Sequence, residues 1–262
     1  MDYALICAVA LLSSALTLFS GFGLGSILMP FFAIFFPVEV AVAATAIVHL
    51  LNNLFKLALV GRSAAWRVVA AFGLPGAALA LLGAWVLTAI AKQEALYRYT
   101  LGSRTFEITP VGLVIAGLIA VFALLELAPA LQTLEFDRKW LPLGGALSGF
   151  FGGLSGHQGA LRAAFLSKIG LDTNAYVGTS VASAVVVDLA RMVVYGLSFY
   201  SGHFARVSEG RVANLVLAGT AAAFIGAFAG SRYMGKLTMQ SVRVLVGVML
   251  LLLAVALGVG LV

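Results

Sequence analysis

The sequence predicts an all-α integral membrane protein made of two inverted repeats of transmembrane helices, each with a glycine-broken short or re-entrant helical segment. Composition gives the first reason: 62% of the 262 residues are hydrophobic, 10% are charged, and the mean hydropathy is +1.09. A soluble domain devotes roughly 25% of its residues to charge, so this chain lacks the side chains for a water-facing surface. Run length gives the second, because several apolar stretches reach the ~20 residues that a helix needs to cross a bilayer core. The third is a duplication, in which a glycine cluster followed by a helix with a buried cation occurs twice, about 134 residues apart.

The apolar runs, in order, are roughly 4–20, a short 24–36, 39–60, 65–90, 110–131, 141–154, a short 160–169, 173–200, 211–231 and 240–262. Asp2 stands where a secretion signal would carry a basic start, and no small-x-small cleavage site follows, so the first run reads as a retained helix. The two short runs cannot span a bilayer, and each follows a glycine cluster. They read as half-helices or re-entrant arms whose irregular backbone is buried in protein. The polar linker 91–109, with β-favouring residues around Leu101-Gly102-Ser103, predicts a small extramembrane hairpin. Residues 133–140 form the joint between the halves. The whole chain, 1–262, is then one transmembrane domain, with repeat 1 at about 1–131 and repeat 2 at about 141–262.

The repeats align closely. An offset of 134 lays Gly25 on Gly159 and Phe31 on Phe165; one residue more lays Thr45 on Ser180, Asn53 on Asp188, Lys56 on Arg191 and Gly61 on Gly196. Further on, Gly76 to Gly83 echoes Gly219 to Gly226. Repeats with interrupted hydrophobic segments at matching places point to the binding site of a secondary transporter. An odd number of crossings per repeat inverts the second half. Arg62, Arg67, Arg138, Lys139, Lys168, Arg232, Lys236 and Arg243 then gather on one side, against Lys92, Arg98, Arg104, Arg206 and Arg211 on the other. The larger set is expected in the cytoplasm, with both termini outside.

The polar residues within the apolar runs carry the chemistry. Thr45, His49, Asn53 and Lys56 are spaced by four, four and three, which places them on one helix face. Ser180, Asp188 and Arg191 repeat that face. Lys56 either snorkels to the interface, since its helix ends soon after, or joins a buried site. Arg191 lies deeper, where an arginine costs at least ~2.5 kcal/mol on insertion scales and needs a partner; Asp188, one turn earlier, supplies it. Arg162 stands just after the second break with no acidic neighbour in sequence. It either ties exposed carbonyls of the broken backbone or clamps an oxyanion through its planar guanidinium. The glycine clusters end one helical segment and begin another, and a helix start exposes N–H groups at its positive end, which suits an anion. Isolated glycines such as Gly83 and Gly117 are expected to serve close packing. Lys56, Arg162 and Arg191 against Asp188 leave two positive charges in surplus, so the expected ligand is a small anion. His49 and His157 are either proton-coupling groups or satisfied hydrogen-bond donors.

Several classes are excluded by the same reading. The net charge of +6 arises mostly from cations in the short breaks between apolar runs, which does not suit a nucleic-acid surface. Cys7 is the single cysteine, so there is no intramolecular disulfide, and three scattered histidines show no metal-ligand spacing. No metal or cofactor is expected. The expected partners are a small anion and the lipid bilayer, with protons as a candidate coupling ion and glycine ridges that suit either internal packing or a homodimer.

These residues resemble the TauE/SafE sulfite exporter family, also known as the toluene sulfonate uptake permeases. The resemblance rests on Gly21-Phe-Gly-Leu-Gly25 with Pro30, on Gly152-Gly-Leu-Ser-Gly-His-Gln-Gly159, and on Val177-Gly-Thr-Ser180, and it spans nearly the entire chain. The departures fall in the first half, where Phe22 and Leu24 stand at common glycine positions and Ala43-Ala-Thr45 replaces Gly-Thr-Ser. The resemblance implies an inverted-repeat transporter of sulfite, thiosulfate or organosulfonates in a bacterial-type plasma membrane. The expected binding set is Gly23, Gly25, Ser26, Thr45, His49, Asn53, Lys56, Gly156, His157, Gln158, Gly159, Arg162, Thr179, Ser180, Ser183, Asp188 and Arg191. Export is favoured over uptake, because each negative charge leaving an interior-negative cell gains about 2.3 kcal/mol per 100 mV. Three other classes remain: an anion channel with the same cationic lining, an assembly subunit, and an intramembrane serine protease. The protease reading uses Gly153-Leu-Ser-Gly156 and His49-Leu-Leu-Asn-Asn53, but it lacks a base on a later helix, since His203 falls in a polar loop.

Overall fold

The computed structural model describes residues 2–20, 24–128, 136–167, 169–200, 210–233 and 239–261. The first break at Gly21, Phe22 and Gly23, residues 133–135 of the joint, and Lys168, His203, Arg206 and Lys236 lie outside them. Among the described residues ten α-helices are present: α1 (Asp2–Ser20), α2 (Leu24–Ala33), α3 (Val38–Val60), α4 (Trp66–Ile90), α5 (Pro110–Leu127), α6 (Leu141–Ser155), α7 (Gly159–Leu166), α8 (Thr173–Tyr200), α9 (Gly210–Tyr233) and α10 (Met239–Gly258). Among the described residues four apolar helical stretches are long enough to span, at 38–63, 66–90, 173–198 and 210–230. The protein is therefore a polytopic membrane protein. Its outer surface carries Leu74, Leu217 and Leu252 at 65–67% exposure, a distribution that suits lipid tails rather than water.

Local chemistry sets the element ends. Thr109 caps α5 by accepting from the Gly112 N–H at 3.0 Å, with Pro110 in the first turn where no N–H is needed. Asp172 does the same for α8, accepting from Ala175 N–H at 2.9 Å. The expected hairpin is present between α4 and α5. Strand β1 (Tyr97–Leu101) pairs antiparallel with β2 (Arg104–Ile108), and the turn is made by Gly102 at φ +65° and Ser103. Tyr99 donates to the Val259 carbonyl at 2.6 Å, which fastens the hairpin to the end of α10.

The helices pair in a repeating pattern. α4 packs on α6 and α8, α9 packs on α1 and α3, α5 pairs with α10, and α3 with α8. Replacing each helix by its counterpart five places along the chain returns the same pairings. Glycine makes the closest of them. A Cβ on Gly145, Gly149 or Gly153 of α6 would overlap the carbonyl of Phe72, Gly76 or Ala80 on α4, and one on Gly83 would overlap the Phe150 carbonyl. The other half answers with Gly226 against the Leu11 carbonyl and Gly230 at 2.6 Å from that of Ala15. Small residues at four-residue spacing let backbones approach, as hydrocarbon requires in place of a hydrophobic driving force. Gly117 differs from the expectation, since a Cβ there would meet nothing within 4 Å; it faces open space and packs against no neighbour.

These contrasts predict opposite effects of one substitution. Gly149→Ala should destabilise by about 1–3 kcal/mol through backbone overlap, whereas Gly117→Ala should stabilise by up to about 1 kcal/mol through helix propensity. Thermal unfolding of the two variants in detergent distinguishes the outcomes.

Candidate functional site

Helices α3 and α8 pass each other at the centre of the molecule and turn their polar faces inward. The alternation of β-branched and small residues with single polar ones leaves one stripe of each helix for the interior. His49, Asn53 and Lys56 on α3 are 2%, 6% and 3% exposed, and Asp188 and Arg191 on α8 are 0% and 1%. Lys56 thus does not snorkel to the interface.

Asp188 is the hub. Its Oδ2 accepts from His49 Nδ1 at 2.7 Å and from Asn53 Nδ2 at 3.1 Å, while Oδ1 accepts from Gln158 Nε2 at 2.8 Å and from Arg191 Nη2 at 2.7 Å. Two donors reach each oxygen, which approaches the capacity of a carboxylate. The short distance fixes the hydrogen on His49 Nδ1, because a carboxylate can only accept. The donors come from α3, from the second break and from α8 itself, so one carboxylate joins the two halves of the chain.

The second break is built by glycine and by capping of its carbonyls. α6 ends at Gly156, whose φ of +81° only glycine adopts readily. Arg191 Nη1 donates to the Gly152 carbonyl at 3.0 Å, Tyr195 Oη to that of Gly153 at 2.5 Å, and Ser148 Oγ to that of Gln158 at 3.0 Å. The chain then enters α7 at Gly159, where the first-turn N–H groups have no intrahelical partners. Arg162, 4% exposed, is steadied by Nε donating to Ser180 Oγ at 2.8 Å. Its Nη1 is buried with no partner among the described residues, as are Thr45 Oγ1, Ser183 Oγ, Gln158 Oε1, His157 Nε2 and Arg191 Nε. Buried polar atoms are rarely left without partners, so these six retain hydrogen-bonding capacity that a polar ligand could use. Lys56 lies near enough for the Arg162 charge to act on it. Its Nζ is 3.2 Å from the Asn52 oxygen when the Asn52 amide is oriented to donate to Ser14 Oγ and the Ala223 carbonyl.

The start of α2 approaches this break. A Cβ on Gly25 would lie 3.5 Å from the Gly156 carbonyl, 3.6 Å from His49 and 3.7 Å from Thr45. A Cβ would make ordinary contact with all three, and a side chain extending beyond it would press on them. Glycine at this point lets the two short segments meet beside His49.

The chain matches the family model for the sulfite exporter TauE/SafE over residues 6–257. It belongs to the TauE/SafE sulfite exporter family. The protein is therefore a membrane transporter and not an enzyme, and the family's substrates are sulfur anions. No curated protein and no solved structure matches it.

Within this TauE/SafE protein the residues expected at the site divide into groups. His49, Asn53, Gln158, Asp188 and Arg191 form one hydrogen-bonded network, and Arg162 with Ser180 lies beside it. Thr45, Gly25 and Gly156 border His49, while Gly159 and Ser183 are buried on the adjoining elements. Ser26 is buried on α2 at 8% exposure; Gly23 lies outside the described residues. Thr179 has a separate engagement, accepting from the Ala65 N–H at 2.9 Å, and Gly178 abuts the Val60 carbonyl. The Val177–Ser180 segment thus holds the entry to α4 as well as Arg162. His157 stacks on Phe122 with ring centroids 5.7 Å apart. Its Nδ1 is 3.0 Å from the Ser155 carbonyl, so that nitrogen carries the hydrogen. A nitrogen that donates there cannot take the Ser155 proton, and Ser155 Oγ itself donates to the Phe151 carbonyl at 3.1 Å; among the described residues the serine has no base.

Four participants were not in the expected set: Ser14, Asn52, Ser148 and Tyr195. Asn52 was findable as a second amide beside Asn53 in an apolar run, and Tyr195 as the residue four beyond Arg191 on the same face. Ser14 and Ser148 carry no local signal, since serine is common in membrane helices.

Replacing the hub should be costly. Asp188→Ala leaves four buried donors without their acceptor, and loss of one partner of a buried pair costs about 3–5 kcal/mol. Arg98→Ala breaks only the exposed pair with Glu107, which holds at 2.8 Å, and should change stability by less than ~1 kcal/mol. Thermal midpoints of the two variants should differ accordingly.

Proposed function

We propose that the protein is a secondary transporter that exports a small sulfur oxyanion or sulfonate, such as sulfite or thiosulfate, across a bacterial-type plasma membrane by alternating access. In this reading the anion binds near the bilayer midplane between the glycine-broken segments. The observation that carries it is the buried Arg162 guanidinium at the second break, anchored by Ser180 and keeping Nη1 without a partner. A planar donor group beside a helix start suits an oxyanion. Asp188 is already matched by Arg191 and His49, so its charge is not free to oppose an anion at Arg162.

The exchange symmetry of the helix pairings supports two repeats. Five helices in each half, if each half makes an odd number of crossings, would set them in opposite senses. Rocking of one repeat against the other would then open the site to alternate sides. Export needs no coupling ion, since each net negative charge gains about 2.3 kcal/mol per 100 mV on leaving the cell. His49 is the group through which a proton would enter if coupling operates, because it sits between α3 and the Asp188 carboxylate.

Thermal unfolding of the purified protein with sulfite, thiosulfate, short sulfonates, sulfate and carboxylates tests this reading. A bound anion at a hundred times its dissociation constant stabilises by about 2.7 kcal/mol. The expected result is a shift with a sulfur anion that disappears in Arg162→Ala. No shift with any sulfur anion, or an undiminished shift in the variant, overturns the proposed site.

A further inference from the structure

The two arginines at the second break are held by opposite ends. Arg162 is anchored at its stem, where Nε donates to Ser180 at 2.8 Å, and the buried Nη1 at its tip has no partner. Arg191 is engaged at its tip, with Nη1 on the Gly152 carbonyl at 3.0 Å and Nη2 on Asp188 at 2.7 Å, while its buried Nε on the stem has no partner among the described residues. An oxyanion gripped end-on needs the terminal nitrogens. Both of those of Arg191 already donate to protein acceptors, which fixes the direction of its fork toward Gly152 and Asp188.

What Arg191 grips is the backbone of the break itself. The Gly152 carbonyl also receives the Gly156 N–H at 3.0 Å, so the guanidinium acts on the residue that turns the chain at φ +81°. One turn on, Tyr195 holds the next carbonyl, that of Gly153, at 2.5 Å. On the far side of the turn Gln158 is tied by its side chain to Asp188 at 2.8 Å, and its carbonyl receives both Ser148 Oγ at 3.0 Å and the Arg162 N–H at 3.1 Å. The position from which Arg162 projects is therefore set by a chain of bonds that begins at Arg191.

Resting on the transporter reading above, we propose that Arg191 is a positioning residue that fixes the break at 152–162, and that the anion meets Arg162 and not Arg191. The anion seat is then one-sided. The repeat offset of 134 puts Leu28 opposite Arg162, so the first break has no counterpart of the anion-binding guanidinium, and Gly25 at its end lies against His49 and Gly156.

The test uses the full-length protein with its single cysteine removed by Cys7→Ser and a reporter introduced by Ala160→Cys in the first turn of α7. The labelling rate by a membrane-permeant maleimide is measured with and without thiosulfate. Arg191→Lys keeps the charge but cannot span Gly152 and Asp188 with a planar fork. It should speed labelling without anion by about tenfold as the break loosens locally. Tyr195→Phe, which removes a single hydroxyl, is the milder second variant and should speed it by about threefold. Arg162→Lys should leave the anion-free rate within about twofold of the parent and lose protection by thiosulfate. A parent-like anion-free rate in both Arg191→Lys and Tyr195→Phe overturns the positioning role. Loss of protection in Arg191→Lys at a parent-like anion-free rate makes Arg191 an anion ligand and overturns the division of roles. Absence of protection by thiosulfate, sulfite and methanesulfonate in the parent counts against the sulfur-anion site instead, and the anion-free rates still decide what Arg191 does.

Discussion

A carboxylate buried in the middle of a membrane protein must be surrounded by donors, and the arrangement around Asp188 follows from that requirement. Moving such a group out of water carries a desolvation cost of several kcal/mol even after relaxation. Here it is offset by four hydrogen bonds of 2.7–3.1 Å from His49, Asn53, Gln158 and Arg191. Those donors lie on α3, on the second break and on α8. Satisfying the charge therefore sets how the two halves of the chain meet and how the break is presented to them. Arg191 answers two needs at once, since its second terminal nitrogen caps the Gly152 carbonyl at the end of α6.

Such a polar centre survives only if the helices around it close tightly. The glycines of α6 against α4, and of α9 against α1, bring backbones together with no side chain between them. The apolar surface displaced from these seams is turned outward, where lipid accepts it. Charged side chains sort the same way. Arg98 and Glu107 of the hairpin remain exposed at 67% and 48%, while the central cations are nearly fully enclosed. The contrast separates charged residues at the exposed hairpin from those in the buried polar centre.

The helix pairings recur from one half of the chain to the other, but the chemistry placed on them does not. An offset of 135 residues aligns Lys56 with Arg191 and Asn53 with Asp188 in the sequence. The equivalents have diverged in charge and in engagement. Arg191 binds a carboxylate and a backbone carbonyl, whereas Lys56 lies beside the neutral Asn52. Arg162 faces Leu28 in the alignment. A near-symmetric frame thus carries a site whose cationic break lies in one half.

The amino-acid sequence by itself determined the membrane class, the order of the helices, the hairpin and the inward faces of α3 and α8. These depend on local quantities: hydropathy over a helix length, turn residues such as Gly102-Ser103, and the four, four and three spacing of Thr45, His49, Asn53 and Lys56. It also pointed to the Asp188–Arg191 pair, which lies within one turn of helix. Only the tertiary structure decided that Lys56 is enclosed, that Arg191 is tied to Gly152, that Gln158 reaches Asp188 and that Thr179 holds Ala65. Each of those depends on which residues distant along the chain are brought within about 3 Å, the range of a hydrogen bond. Periodicity along one helix carries no information about the carbonyl that a neighbouring helix will present.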